Sequence, residues 1–307
     1  MSHRLEEISF PSQGVCLRAG YYIPEDDTLT DAAGTPCVVM AHGLGGTRAA
    51  GLAPFAQRFA DAGLRVLCFD YRHFGASDGQ PRQLYSTRRQ LDDWGAAIRH
   101  ARSLDGVDPT RIALWGSSMS GGHVISAAVE DGRVAACASQ GAMMDGRVAL
   151  FSIVRRAGPV YAIKLVGHAL RDAFSQIGGG PRQLIPIVAE PGEIASISSA
   201  GSKAGYLAIT PADWDNRISC AWMLTLPLYR PNLLAARLPC PTLFCICTAD
   251  TVVPPAAVED AARRAGSRAE VKRYPIGHFD IYVGDGFERA VTDQCDFFLR
   301  ALKPVAH

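Results

Sequence analysis

The fold predicted for this chain follows from one stretch of sequence, Leu114-Trp115-Gly116-Ser117-Ser118-Met119-Ser120-Gly121-Gly122-His123. An apolar run of strand length at residues 111–115 leads into it, and a helical run of small residues at 124–129 leads out. A strand that turns this abruptly into a helix needs small residues two positions before and two positions after the apex of the turn. Gly116 and Ser120 meet that requirement around Ser118. The stretch therefore predicts a strand, a sharp turn and a helix, with Ser118 at the apex.

This geometry makes Ser118 a candidate nucleophile. At such an apex the serine Oγ stands above the sheet, and the Met119 N–H points to where an oxyanion would form. The alternative is that the segment is only a Gly/Ser-rich turn. Two other serines compete for the role, but Ser117 has Trp115 and Met119 at the positions that must be small, and Ser120 falls inside the helix. The register therefore favours Ser118.

The composition limits the class of protein. The chain has 307 residues, of which 48% are hydrophobic and 20% charged, enough for one large α/β domain with an elaboration or for two domains. Thirty-one basic residues against 30 acidic ones give a net charge of +1, which predicts no nucleic-acid and no membrane partner. No stretch of 18 apolar residues and no secretory signal pattern is found, so we expect a cytoplasmic protein. The nine cysteines are scattered, mostly in apolar runs, and we interpret them as core residues.

Strand-like and helix-like segments alternate over most of the chain. Apolar runs typical of buried parallel strands occur at 37–41, 65–69, 133–138, 241–247 and 270–274, and helical patterns occur at 53–64, 86–104, 256–265 and 287–302. Two β-like runs within 5–23 predict an antiparallel hairpin at a sheet edge. In the helix at 86–104, Asp92 and Asp93 are expected to form a solvated face.

A glycine-rich loop, His42-Gly43-Leu44-Gly45-Gly46, follows the strand at 37–41. Such a loop can cradle phosphate, but no Lys-Ser/Thr follows it and the G-x-G-x-x-G spacing is absent. The other interpretation is an oxyanion loop, in which the glycines let the backbone approach the substrate and the Leu44 N–H faces it.

The alternation of strands and helices stops after residue 141 and resumes near residue 237. We predict a mainly helical cap at 142–236, inserted into a core formed by 1–141 and 237–307. A cap that covers a site also lines it, so Met143, Met144 and Trp222 are candidate substrate-binding residues. Each of the three could instead belong to the core of the cap.

Two further residues lie directly after predicted strands. Asp250 follows the strand at 241–247, and His278 follows the strand at 270–274. With Ser118 they give the chain order nucleophile, acid, base. At this point the sequence resembles the α/β-hydrolase family over nearly its whole length, through the His42-Gly43 loop, the loop from Asp70-Tyr71-Arg72 to Ser77-Asp78-Gly79, the Ser118 turn, and the Asp250 and Gly277-His278 segments. It looks most similar to the capped serine hydrolases near the dienelactone-hydrolase and Xaa-Pro-peptidase-like branch.

The resemblance carries expectations about fold and chemistry. It implies a mostly parallel eight-stranded sheet with helices on both faces and an inserted cap. It also implies a catalytic triad of Ser118, Asp250 and His278, and an oxyanion hole formed by the N–H groups of Leu44 and Met119, with no cofactor or metal. Two departures stand out: the turn reads G-x-S-x-S, where the family has G-x-S-x-G, and His73 stands where the family often has glycine.

The expected activity is hydrolysis of a carboxylic ester of a small, largely apolar substrate through an acyl-enzyme. The alternatives are a thioesterase or acyltransferase of a biosynthetic pathway, and an inactive binding protein on the same fold. The sequence gives no indication of oligomeric state.

Overall fold

The computed structural model describes residues 3–26 and 28–303 and is built on one large sheet. Its strands in chain order are β1 (His3–Ser12), β2 (Val15–Pro24), β3 (Thr35–Ala41), β4 (Arg65–Phe69), β5 (Val107–Ser117), β6 (Ala136–Gln140), β7 (Leu184–Pro186), β8 (Arg217–Ser219), β9 (Thr242–Cys247) and β10 (Ala269–Tyr274). Eight of them form the sheet in the order β1-β2-β4-β3-β5-β6-β9-β10, and β7 and β8 form a separate two-stranded ribbon. From β4 to β10 all neighbours in the large sheet are parallel, whereas the β1–β2 hairpin is antiparallel and joins β4 antiparallel. The predicted α/β fold with a mostly parallel eight-stranded sheet is confirmed.

The central strands are buried on both faces. On β3, Cys37 and Val39 pack into one hydrophobic cluster, while Val38 and Met40 pack into a second cluster on the opposite face. This alternation explains why the strands read as continuous apolar runs, since side chains of successive strand residues point to opposite sides and both sides are covered.

Within the described ranges, eight α-helices accompany the strands. They are α1 (Ala53–Asp61), α2 (Thr87–Ser103), α3 (Met119–Asp131), α4 (Gly146–Ala157), α5 (Pro159–Ile177), α6 (Ser202–Ile209), α7 (Pro255–Ala265) and α8 (Gly284–Ala301). Buried residues of α1 and α8 join one of the two clusters, and those of α2, α3 and α7 join the other. Helices therefore cover both faces of the sheet, as predicted.

The segment at 142–236 contains α4, α5, α6, the β7–β8 ribbon and several short 3₁₀ turns. A single helical pattern at 148–173 forms two helices, because Gly158 takes a positive φ of 84° and Pro159 then opens α5. We retain 142–236 as the predicted bounds of the cap. Residues 1–2, 27 and 304–307 of the predicted core lie outside the part that the structure describes.

The expectation that Asp93 is solvated is wrong. Its side chain is fully buried, and one carboxylate oxygen accepts hydrogen bonds from Arg72 Nε at 2.8 Å and from Ser12 Oγ at 2.7 Å. The other oxygen accepts from the Arg72 backbone N–H at 3.1 Å. Because the partners lie on β1, on the loop after β4 and on α2, this buried pair ties three elements together at one point.

Removing one member of the buried Arg72–Asp93 pair tests how much the pair stabilises the fold. We expect Asp93→Ala to lower the free energy of unfolding by about 3–5 kcal/mol, because the Arg72 guanidinium is left buried without its counter-charge. The measurement is urea denaturation. Asp92→Ala, one position away on the less buried side of α2, is the control and should change the value by about 0.5 kcal/mol or less. Equal losses of unfolding free energy in the two variants would contradict a stabilising role of the Arg72–Asp93 pair.

Candidate active site

The turn between β5 and α3 is strained at one residue. Ser118 has φ 58° and ψ −121°, a conformation that residues with side chains rarely adopt. Such strain amounts to about 1–3 kcal/mol and persists only where the surroundings hold it. Here the Ser118 N–H donates to the Gln140 carbonyl at 2.8 Å, and the Ser118 carbonyl accepts from the N–H groups of Gly121 at 3.0 Å and Met143 at 2.9 Å. A Cβ at Gly116 would collide with the Ser120 carbonyl, so the turn requires glycine there.

The structure brings Ser118, His278 and Asp250 together. His278 Nε2 lies 3.1 Å from Ser118 Oγ, and His278 Nδ1 lies 2.6 Å from Asp250 Oδ2. The second carboxylate oxygen of Asp250 accepts from the N–H groups of Val252 at 2.7 Å and Val253 at 2.9 Å. These distances place a hydroxyl, an imidazole and a carboxylate in a chain of hydrogen bonds within reach of proton transfer.

The neighbouring serines have structural partners. Ser117 Oγ lies 2.5 Å from the Tyr282 hydroxyl and accepts from Gln140 Nε2 at 3.1 Å. Ser120 Oγ lies 2.8 Å from the Tyr71 hydroxyl. In the described part of the chain neither of these serines forms a hydrogen bond with His278. Ser118, at the apex of the turn, therefore has the geometry expected of a nucleophile.

The glycine-rich loop after β3 approaches Ser118 very closely. A Cβ added to Gly43 would lie 2.9 Å from the Ser118 Cβ, so only glycine fits there. The Gly43 carbonyl accepts from the Gly46 N–H at 3.3 Å and from Nδ1 of His42 at 2.9 Å. Burial lowers the pKa of His42, so the ring is neutral, and Nδ1 carries the hydrogen because a carbonyl oxygen only accepts. These bonds hold the peptide whose N–H belongs to Leu44.

Two aromatic residues of the cap segment anchor the same loop, and the sequence interpretation missed both. The Tyr206 hydroxyl donates to the Leu44 carbonyl at 2.7 Å, and Trp214 Nε1 donates to the Gly45 carbonyl at 3.0 Å. The two rings stack with centroids 4.7 Å apart. Their partners are more than 160 positions away in sequence, and no local pattern marks such contacts.

A cavity of about 220 Å³ opens next to Ser118, Leu44 and Met119. Its wall is largely apolar and is formed mainly by the cap segment, including Ala149, Leu150, Ile153, Leu165, Val166 and Leu226. Met143 and Trp222 also line it. Met144 does not; it is buried in the core, and its carbonyl accepts from the Asn232 N–H at 3.1 Å. Trp222 Nε1 is buried in this wall without a hydrogen-bond partner among the described residues.

No group of three or more His, Cys, Asp or Glu side chains suited to hold a metal ion is found within 3–26 and 28–303. The buried cysteines lie in the core.

Comparison with known proteins identifies the family. A family model described as serine aminopeptidase, S33, matches residues 33–282. The chain belongs to this S33 family of α/β-hydrolases. Among the relatives of this S33-family protein, the quorum-quenching protein AidA of Acinetobacter baumannii (strain MDR-ZJ06) is 42% identical over 301 residues, which cover 97% of this chain and 95% of AidA. A polyketide transferase of Penicillium sp. is 27% identical over 271 residues, covering 86% of this chain and 88% of that protein.

A solved structure shows the same fold. The crystal structure of the α/β-hydrolase GrgF from Penicillium sp. sh18 has a TM-score of 0.79 at 24% identity, covering 97% of this chain and 99% of that chain. Family membership and the named relatives support a hydrolase or acyl-transfer activity for this S33-family protein.

The three serines of the turn provide a direct test of the register. We expect Ser118→Ala to lower kcat/KM by about 10⁴-fold or more and to abolish labelling by a fluorophosphonate, because the attacking hydroxyl is gone. Ser117→Ala and Ser120→Ala lose only structural hydrogen bonds and should remain folded and labelled. Circular dichroism checks the fold, and peptide mass spectrometry locates the adduct. An adduct on Ser120 in the unmodified protein would show that the register is wrong.

Proposed function

We propose that this protein hydrolyses a carboxylic ester of a small, largely apolar substrate through an acyl-enzyme on Ser118. The observation that carries the proposal is the apolar cavity that begins at the Ser118 side chain, whose Oγ is hydrogen-bonded to His278. A nucleophile at the mouth of an apolar cavity fits an acyl group better than a charged or sugar-like one. A cavity of about 150 Å³ is enough to hold benzene, so the volume here accepts an acyl chain of several carbons.

The proposed mechanism uses each group in the position described. His278 Nε2 takes the Ser118 proton as Oγ attacks the ester carbonyl, and Asp250 stabilises the imidazolium through the Nδ1–H bond. Leu44 and Met119 both line the cavity, and their N–H groups stabilise the developing oxyanion. His278 then gives the proton to the leaving alcohol. Water, activated by His278, attacks the acyl-enzyme and releases the acid and the free serine.

A relative's name supports a more specific substrate. AidA is named a quorum-quenching protein, and its alignment covers 97% of this chain and 95% of AidA. We therefore propose a small signalling molecule as the natural substrate. An apolar acyl group on such a molecule would occupy the cavity lined by Met143 and Trp222.

Acyl transfer is the second candidate function. The similarity to a polyketide transferase favours it, and so does the apolar wall, because a site poor in water lets an acceptor alcohol compete for the acyl-enzyme. Both candidates share the same acyl-enzyme and differ only in what attacks it.

Partitioning of the acyl group distinguishes the two functions. A soluble activated ester is incubated with the enzyme and increasing concentrations of an alcohol or amine, and free acid and transferred product are measured. We expect free acid to dominate at millimolar acceptor. If transferred product dominates there, or if only thioesters turn over, the hydrolase proposal fails and acyl transfer or thioester hydrolysis replaces it.

Two adjacent methionines test which residues contact the acyl group. Met143→Ala enlarges the cavity, so we expect the preferred acyl chain to lengthen by one or more carbons. Met144 lies in the core, and its replacement by Ala should lower the free energy of unfolding by about 2–5 kcal/mol without changing that preference. The measurements are kcat/KM for esters of increasing acyl length and thermal unfolding. A shift in chain-length preference in both variants, or in neither, would contradict the cavity assignment.

A further inference from the structure

Helix α5 has two apolar faces, and one of them faces solvent. The inner face buries Tyr161, Leu165 and Ala169. The outer face consists of residues spaced by three or four positions, each between 42% and 84% exposed: Val160, Ile163, Val166, Leu170, Phe174 and Ile177. The neighbouring α4, which packs against α5, also exposes Phe151. A continuous apolar face of this length on a protein surface marks an interaction site.

Helices α4 and α5 carry more cations than acids. Over 146–177 there are five cations, Arg147, Arg155, Arg156, Lys164 and Arg171. The same residues include one acid, Asp172, which is fully buried and accepts hydrogen bonds from the backbone N–H groups of Gln183, Cys220 and Ala221. Lys164 and Arg171 are themselves exposed on α5. The surface presented by these helices is therefore apolar and positively charged, although the whole chain is nearly neutral.

This combination of charge and apolarity selects the partner. A second copy of the chain bound through the same face would set the cations of two α5 helices against each other, which like-charge repulsion opposes. An anionic lipid surface instead attracts the cations and accepts the apolar side chains among its acyl tails. We propose that the outer face of α5 docks this protein on an anionic lipid surface. No helix within the described residues is long and apolar enough to cross a membrane.

The cavity of the active site reaches this same face. Val166 belongs to the outer face and also lines the cavity, and the exposed Leu224 lines it as well. An apolar acyl substrate dissolved in the lipid would thus enter beside α5 and reach Ser118. This entry route rests on the proposed function, whereas docking itself does not. The expectation of no membrane partner rests on the net charge of the whole chain, whereas the docking proposal rests on the local distribution of charge.

Flotation with lipid vesicles tests the proposal. Vesicles of phosphatidylcholine alone are compared with vesicles that also contain phosphatidylglycerol, at low and high salt. We expect the wild-type protein to float with the anionic vesicles at low salt only. The double variants I163S/F174S and K164Q/R171Q should each reduce binding by at least about tenfold. Leu5→Ser, which removes an exposed apolar side chain from β1, is the control and should bind like the wild type.

Hydrolysis of a soluble short-chain ester, measured on the same samples, separates the two proposals. Normal hydrolysis by I163S/F174S together with lost flotation supports docking through α5. Vesicle binding without any ester hydrolysis contradicts only the proposed function. Absence of wild-type binding to anionic vesicles, or binding equal in all variants, overturns the docking proposal. A dimer in sedimentation velocity that I163S/F174S dissociates would assign the face to a second copy and overturn it as well.

Discussion

The positive φ of Ser118 is the constraint on which the rest of the site depends. This conformation places the Ser118 Oγ above the carboxyl end of the sheet. Asp250 and His278 lie at the same end, in the segments that follow β9 and β10. The same turn directs the Ser118 carbonyl to the Met143 N–H, so the first residues of the cap segment are held by the strained residue itself. Glycines at 116 and 43 are required because a side chain at either position would collide with the turn. Strain at one residue is thus balanced by the hydrogen bonds and close contacts around it.

The cap segment has two roles in this arrangement. It forms most of the apolar wall around the cavity, and through Tyr206 and Trp214 it holds the carbonyls of Leu44 and Gly45. The loop that carries the proposed oxyanion donor is therefore fixed from both sides, by His42 from within the core and by the cap from above. A movement of the cap would alter substrate access and the position of the Leu44 N–H together. In the proposed mechanism, binding of substrate and stabilisation of charge would in this way be coupled through a few hydrogen bonds.

The sequence alone predicted the candidate site wherever its residues are brought together by the order of the strands. Parallel strands end at one edge of a sheet, so residues directly after β5, β9 and β10 could be placed together from the chain order alone. It was uninformative where a contact joins distant elements. Asp93 has the sequence context of a surface residue, and only the packing of α2 against β1 shows that it pairs with Arg72. The contact of Tyr206 with the loop after β3 could not be predicted for the same reason, since the packing of the cap on that loop leaves no periodic pattern in either segment.

A crystal structure of the protein inactivated with a medium-chain alkylphosphonate tests the account most directly. The tetrahedral phosphorus mimics the intermediate of acyl transfer, and its alkyl chain stands in for the acyl group. The account predicts a bond from phosphorus to Ser118 Oγ and a phosphonyl oxygen within hydrogen-bond distance of the Leu44 and Met119 N–H groups. It also predicts an alkyl chain lying between Met143 and α5. A phosphonyl oxygen that points away from both N–H groups, or an alkyl chain outside the cavity, would contradict it.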